Sequence, residues 1–167
     1  MNRKFILPVI AFCSILAAAC NKENRNVPVQ ILLTDNPTAL EEVNVEITGI
    51  QVKLDHDTTG WVSLDTDTGV YNLLALQNGL TDTIAKGTIP DGILKEVRFI
   101  LGDKNTVKVN GALEPLVIPS GSESGLKIKI DKHLGETLNT FILDFDAALS
   151  IKEETDGYKL RPVIKLK

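Results

Sequence analysis

The sequence predicts an all-β fold: an antiparallel Greek-key β-sandwich of about eight to ten short strands, preceded by a lipoprotein signal peptide. Three observations predict it. From Val29 onward apolar residues recur with a period of two, as in Val43-x-Val45-x-Ile47 and Leu126-Lys127-Ile128-Lys129-Ile130. Turn clusters such as Thr34-Asp35-Asn36-Pro37, Pro90-Asp91-Gly92 and Asn110-Gly111 separate these runs at roughly 8–12-residue spacing. No long amphipathic helical pattern interrupts them, so a parallel α/β sheet is not expected.

The start of the chain sets its compartment. Asn2-Arg3-Lys4 is a basic opening, and Phe5 to Leu16 is an apolar run broken only by Pro8 and Ser14. A bilayer span needs ~20 apolar residues, so this run is too short to cross and fits a secretory signal peptide. Ala17-Ala18-Ala19 then leads into Cys20 and resembles a bacterial lipobox, although Ala17 stands where Leu is commoner. In such signals the peptidase cuts before the cysteine, whose thiol carries the lipid, with palmitate among its chains. The alternative is an ordinary secretory signal cut at an Ala-x-Ala site, with Cys20 left as a free thiol. The lipobox reading divides the chain into a signal peptide over residues 1–19, a lipidated tether over 20–28 and a β-sandwich domain over 29–167. It places the protein in the bacterial cell envelope as an outer membrane lipoprotein, periplasmic or surface-exposed. Cys20-Asn21-Lys22-Glu23 is also similar to short charged signals that export some lipoproteins to the surface.

Cleavage before Cys20 leaves 148 of the 167 residues, enough for one domain that buries roughly two-thirds of its unfolded surface. Cys13 leaves with the signal and Cys20 carries lipid, so no disulfide staples the core. Loss of Arg3 and Lys4 leaves 16 basic residues against 22 acidic ones, a net charge of −6. An acidic chain with no basic stripe argues against nucleic-acid binding and gains nothing from anionic lipid surfaces. Membrane contact is expected through the lipid alone.

In chain order, Val29 to Leu33 reads as a strand and Thr38 to Glu42 as a helical turn or loop. The next strand changes parity at Thr48-Gly49, which predicts a β-bulge or a bend between sheets. Asp55 to Gly60 is a turn and Trp61 to Leu64 the returning strand. Val70 to Leu76 is apolar without a clean period and fits either a strand or a short helix; Leu80 to Lys86 is equally ambiguous. Ile93 to Leu101 carries Val97, Phe99 and Leu101 on one face and Arg98 on the other. Asn110-Gly111 predicts a type I′ hairpin between Thr106–Val109 and Leu113–Ile118. Pro119 to Gly125 is a Ser/Gly loop, followed by strands at Leu126–Ile130, around Phe141–Phe145, and at the C-terminus, where Pro162 marks an edge or bend.

Several phrases in order carry a family resemblance: Leu33-Thr34-Asp35-Asn36-Pro37, Gly60-Trp61-Val62-Ser63-Leu64, Leu73-Leu74-Ala75-Leu76-Gln77-Asn78-Gly79, Ser124-Gly125-Leu126-Lys127-Ile128, Leu143-Asp144-Phe145-Asp146-Ala147-Ala148-Leu149-Ser150 and Leu160-Arg161-Pro162-Val163-Ile164. Over Val29 to Lys167 the chain resembles the domain of unknown function 4382, a family of bacterial lipoprotein domains. The resemblance implies an extracytoplasmic β-sandwich and supplies no catalytic residues.

Candidate sites are few. Asp144 and Asp146, two apart on one strand, would lie ~7 Å apart on a solvated face opposite Phe141, Leu143 and Phe145. That spacing falls within the range of paired glycosidase carboxylates, yet parallel carboxylates do not flank a substrate. Asp55, Asp57 and Thr59 echo the opening of a calcium loop, with Gly60 at the sixth position, but Thr66 stands where the bidentate Glu belongs. His56 and His133 lack any zinc or triad context and read as loop residues. Ser120, Ser122 and Ser124 sit in a flexible loop at an end of the sandwich, where binding loops cluster. Trp61 carries an apolar ring with a polar tip, which suits a wet binding surface. These residues predict a lipid-anchored module that binds a protein or glycan partner, with no catalysis and no cofactor. The alternatives are a structural subunit of a surface assembly and an acid-dependent hydrolase built on Asp144 and Asp146.

Overall fold

In the computed structural model residues 25–55, 60–119 and 125–167 are described. The signal peptide, Cys20, Asp57, Thr59, Ser120, Ser122 and Ser124 lie outside the described residues.

Alternation decides which segments pair. β1 (Asn26–Thr34) buries Val27, Val29, Ile31 and Leu33, and β2 (Glu42–Leu54) buries Val43, Val45 and Ile47 and then Ile50, Val52 and Leu54. The strand begins at Asn26, three residues earlier than the pattern predicts, because Val27 enters the core and Asn26 to Pro28 pair with Pro90 to Thr88. The last residues assigned to the tether are therefore sheet. The parity change in β2 is a bulge: its register with β7 (Ile93–Leu101) shifts between Ile47 and Gly49. The extra residue keeps one strand of 13 residues apolar on a single face.

Between them lie β3 (Val62–Ser63), β4 (Asp65–Thr66), β5 (Gly69–Asn72) and β6 (Asp82–Pro90). Val70 to Leu76 resolves both ways: β5 ends at Asn72, whose side chain caps a 3-10 turn over Leu73–Leu76 by accepting from the Leu74 amide. β8 (Thr106–Val109) and β9 (Ala112–Val117) form the expected hairpin. Asn110 and Gly111 have φ of 50° and 79°, the two left-handed positions a type I′ turn requires. No atom lies within 4 Å of a Cβ placed on Gly111, so only its backbone resists a side chain. Gly111→Ala is expected to cost about 1 kcal/mol in chemical denaturation, with an unchanged m-value.

The chain closes with β10 (Leu126–His133), β11 (Asn139–Phe145), α1 (Ala147–Ser150), β12 (Ile151–Glu154), β13 (Gly157–Leu160) and β14 (Ile164–Leu166). His133 lies on β10 rather than in a loop.

The result is an all-β sandwich of two sheets. One has the order β14-β11-β1-β6-β4; the other runs β10-β7-β2-β8-β9-β13-β12, with β3 and β5 also paired to β2. The strands are more numerous than the pattern suggests, and the pairing is mixed: β1–β11 and β9–β13 are parallel. Their inner faces meet in one core that fully buries Ile31, Leu33, Ile47, Leu73, Phe99, Leu143 and Phe145. Each such side chain contributes about 1.5–3 kcal/mol over its exposed state. β10 is an edge strand, and it is irregular where an edge invites unwanted pairing: its register shifts between Lys129 and Lys132, and Asp131 has φ of 49°.

Candidate functional site

The bulge and the antiparallel register of β2, β7 and β10 determine which residues share the outer face of the larger sheet. Gln51 is opposite Ser63 on β3 and Arg98 on β7, and Arg98 is opposite Lys127 on β10. One step along, Glu96 is opposite both Lys53 and Lys129. Two rows therefore gather Arg98, Lys53, Lys127 and Lys129 around a single acid. The linear sequence shows no basic stripe because these four residues come from three strands; the sheet assembles one.

Trp61, two residues before Ser63, lies on this face. The Arg98 guanidinium sits 4.0 Å from the centroid of its ring, and Lys127 Nζ is 5.9 Å from it. A cation over an indole face is attracted by the ring quadrupole, by about 0.5–1 kcal/mol at exposed sites and more where water is excluded. Arg98 Nη1 also donates to Gln51 Oε1 at 3.2 Å, and Gln51 Nε2 donates to Ser63 Oγ at 3.2 Å. Nε of Arg98 is buried and has no hydrogen-bond partner among the described residues. Aromatic contact and amide together hold the guanidinium against the Trp61 ring.

Gly125 makes this possible. Its φ is +64°, and a Cβ there would stand 2.7 Å from Arg98 Cγ, 2.8 Å from Arg98 Cδ and 2.8 Å from the Phe99 carbonyl oxygen. The chain after the Ser/Gly loop thus passes directly against the Arg98 stem. Trp61 follows the Asp55–Gly60 turn, so both predicted loops end beside Arg98. Next to this platform an open depression of about 400 Å³ is lined by Lys53, Asp55, Lys95, Glu96, Lys129 and Asp131. Lys95 is paired with Asp131 there at 2.9 Å. Lys53, Lys127 and Lys129 form no ion pair among the described residues.

Of the other sequence-predicted residues, Asp55 is tied into the fold: its Oδ1 accepts from the Ile93 amide at 3.1 Å. Among the described residues no group of three or more His, Cys, Asp and Glu side chains is placed to hold a metal.

Asp144 and Asp146 do not form the solvated pair expected of them. Asp144 is only 8% exposed, and its Oδ1 is buried without a partner among the described residues. Its Oδ2 is 4.0 Å from Lys167 Nζ. The expectation fails because the strand face opposite Leu143 is covered here. Asp144 pairs in register with Thr34, itself buried, whose one hydroxyl proton is shared between the Leu76 and Leu80 carbonyls. Asp146 lies beyond the end of β11 and caps α1, accepting from the Leu149 amide at 2.9 Å.

The residue that sequence reasoning missed in this region is Asp35, 1% exposed. It accepts from the Ala147 amide at 2.9 Å and from Gln77 Nε2 at 3.1 Å, and its own amide donates to the Leu76 carbonyl. Burial raises its pKa above the ordinary 3.8, and the Asp144 charge adds to the rise, while the hydrogen bonds from Ala147, Gln77 and Asn36 oppose it. Asp35 joins the end of β1, the 3-10 turn and α1. In the sequence it is one of several turn residues, and nothing local distinguishes it.

A family model described as Domain of unknown function (DUF4382) matches residues 26–162, nearly all of the described chain. Neither a curated protein nor a solved structure matches.

Proposed function

The chain belongs to the DUF4382 family, and we propose that it is a lipid-anchored, extracytoplasmic binding module that engages a glycan or protein partner through the Trp61 face and carries out no catalysis. The observation that supports this reading is the platform of Trp61, Arg98 and Lys127 on an open sheet face, with its guanidinium fixed by the Trp61 ring and Gln51. An aromatic ring beside fixed polar groups provides contact area and orientation together, with little side-chain freedom left to lose on binding. Of the two acids considered for hydrolysis, Asp146 caps α1, and Asp144 is buried with its Oδ2 4.0 Å from Lys167 Nζ. The Ala-rich approach to Cys20 supports the anchor.

Trp61 is the only tryptophan, so its emission reports on this face alone. Envelope fractions from the source bacterium, both glycan and protein, are expected to shift that emission. Trp61→Ala is expected to abolish retention of the partner while circular dichroism stays that of a β-sandwich. Full retention by Trp61→Ala would overturn the proposed face. Fatty-acid labelling of the chain and of its Cys20→Ser variant tests the anchor; an unlabelled parent would overturn it.

A further inference from the structure

We propose that the Trp61–Arg98 face takes an acidic glycan, a saccharide chain bearing carboxylate or sulfate groups, laid across β3, β2, β7 and β10. This rests on the reading of that face as the binding surface and adds the class of ligand.

Charge makes the first selection. The chain as a whole is acidic, with a net charge of −4, yet these two rows carry four cations and one anion. Three of the cations have no carboxylate partner among the described residues. The fourth, Arg98, is fixed in place by Trp61 and Gln51 before any ligand arrives. A planar guanidinium held in this way suits the two oxygens of a carboxylate or sulfate, and Lys127 and Lys129 supply further point charges.

Spacing makes the second. Arg98 and Lys127 lie on neighbouring strands ~4.8 Å apart, and Lys53 and Lys129 flank Glu96 in the next row, so charge recurs across the sheet as well as along β10. That geometry suits an extended polymer with an anionic group at each unit. A peptide adding to a sheet would use an edge, because only an edge offers backbone donors and acceptors. The edges here are β10, which is irregular at Asp131, and β3, which is two residues long.

The third selection is against a membrane. Surface helices and patches that insert into bilayers present large apolar side chains to the acyl boundary. Among the described residues the exposed large apolar ones are Val70, Leu80, Leu113, Val117, Leu138 and Leu149, and none lies on these two rows. What stands beside the cations is one indole, an amide and a hydroxyl: Trp61, Gln51 and Ser63. Those groups match the hydroxyl and C–H surface of a sugar.

The test uses the full chain carrying Cys20→Ser, which leaves the domain intact and removes the lipid. Trp61 emission and titration calorimetry are followed with oligogalacturonate, heparin oligosaccharide, neutral dextran oligosaccharide, poly-glutamate and phosphatidylglycerol vesicles. Binding of an acidic saccharide is expected, and it should weaken as salt rises. Lys127 and Lys129 are both exposed, so Lys127→Glu with Lys129→Glu should leave the melting temperature unchanged and weaken that binding by about tenfold or more. Equal or tighter binding of neutral dextran, poly-glutamate or vesicles overturns the inference, as does an affinity that the double reversal does not change. A lack of response to both acidic saccharides overturns it as well. The broader reading of the face falls separately, through Trp61→Ala: a partner lost on that change and indifferent to the lysine reversals keeps the face and removes the acidic ligand.

Discussion

Asp35→Ala is expected to destabilise the fold by about 2–4 kcal/mol in urea denaturation. The carboxylate accepts the Ala147 amide at 2.9 Å and Gln77 Nε2 at 3.1 Å. Ala147 is fully buried, so its N–H would have no water to turn to. Each buried polar group left unsatisfied costs about 1–3 kcal/mol. Asp35→Asn should cost much less, since one amide oxygen still accepts from Ala147 and Gln77 can rotate its amide to present an acceptor. A loss within about 0.5 kcal/mol for Asp35→Ala would show that the junction of β1, the 3-10 turn and α1 does not depend on this side chain.

The same pair of variants carries a pH signature. Burial raises the folded-state pKa of Asp35 above 3.8. Between 3.8 and that raised value the native state holds more protons than the unfolded state, so stability falls as pH rises through the interval. The contribution is fully present below 3.8 and lost above the folded pKa. Asp35→Asn lacks the titration and should gain on the parent as pH rises. Glu46 acts in the opposite sense: the Lys104 amide, donating at 3.0 Å, lowers its pKa from 4.5. Its stabilisation is present above 4.5 and disappears as pH falls through its folded value. Unfolding curves of the parent, Asp35→Asn and Glu46→Gln from pH 3 to 7 separate the two.

Gly125→Ala is expected to cost about 2–5 kcal/mol and to dismantle the aromatic–cationic platform. A left-handed backbone costs a non-glycine residue about 1–2 kcal/mol, and overpacking typically adds 1–3. Here the added carbon meets not only the flexible Arg98 stem but the Phe99 carbonyl at 2.8 Å, part of a paired strand that cannot step aside. Relief requires Arg98 to leave Trp61 and β10 to draw away from β7 at Leu126, the register partner of Phe99. Trp61 emission should therefore change, and amides of Leu126 to Ile128 should exchange faster with solvent. Gly111→Ala, equally left-handed but with open space around it, serves as the control for backbone strain alone.

Period-two alternation was enough to read most strands, because it is written locally by which side chains must face the core. The bulge at Gly49 and the Asn110-Gly111 hairpin were equally local and equally legible. Partner choice was not. β1 and β11 pair in parallel over Val29–Thr34 and Asn139–Asp144, segments separated by more than a hundred residues, and neither segment's pattern names the other. The error at Asp144 follows from this. Its alternation with Leu143 and Phe145 correctly puts it on the opposite face, but whether that face is wet depends on Thr34 and the residues Thr34 holds. The platform was half legible: Trp61 stood out by its type, while Arg98 became significant only once two strand registers set it beneath the ring. The four cations show the same limit, since a stripe that crosses strands has no signature along the chain.

The position of β1 bears on how the domain carries mechanical load. β1 is an inner strand, joined to β6 over most of Asn26–Leu33 and to β11 over Val29–Thr34. Tension entering at Arg25 runs along that strand and loads both ladders in shear, so many hydrogen bonds must fail together. Tension entering at Lys167 meets β14, an edge strand joined to β11 over the short span Ile142 to Asp146, whose pairs can open one after another. Pulled from its two ends in turn, the domain should yield at low force from the C-terminus, with β14 peeling first, and resist to a much higher force from the N-terminus. A domain tethered through its N-terminus in a flowing or crowded medium would thus be held by its most resistant seam.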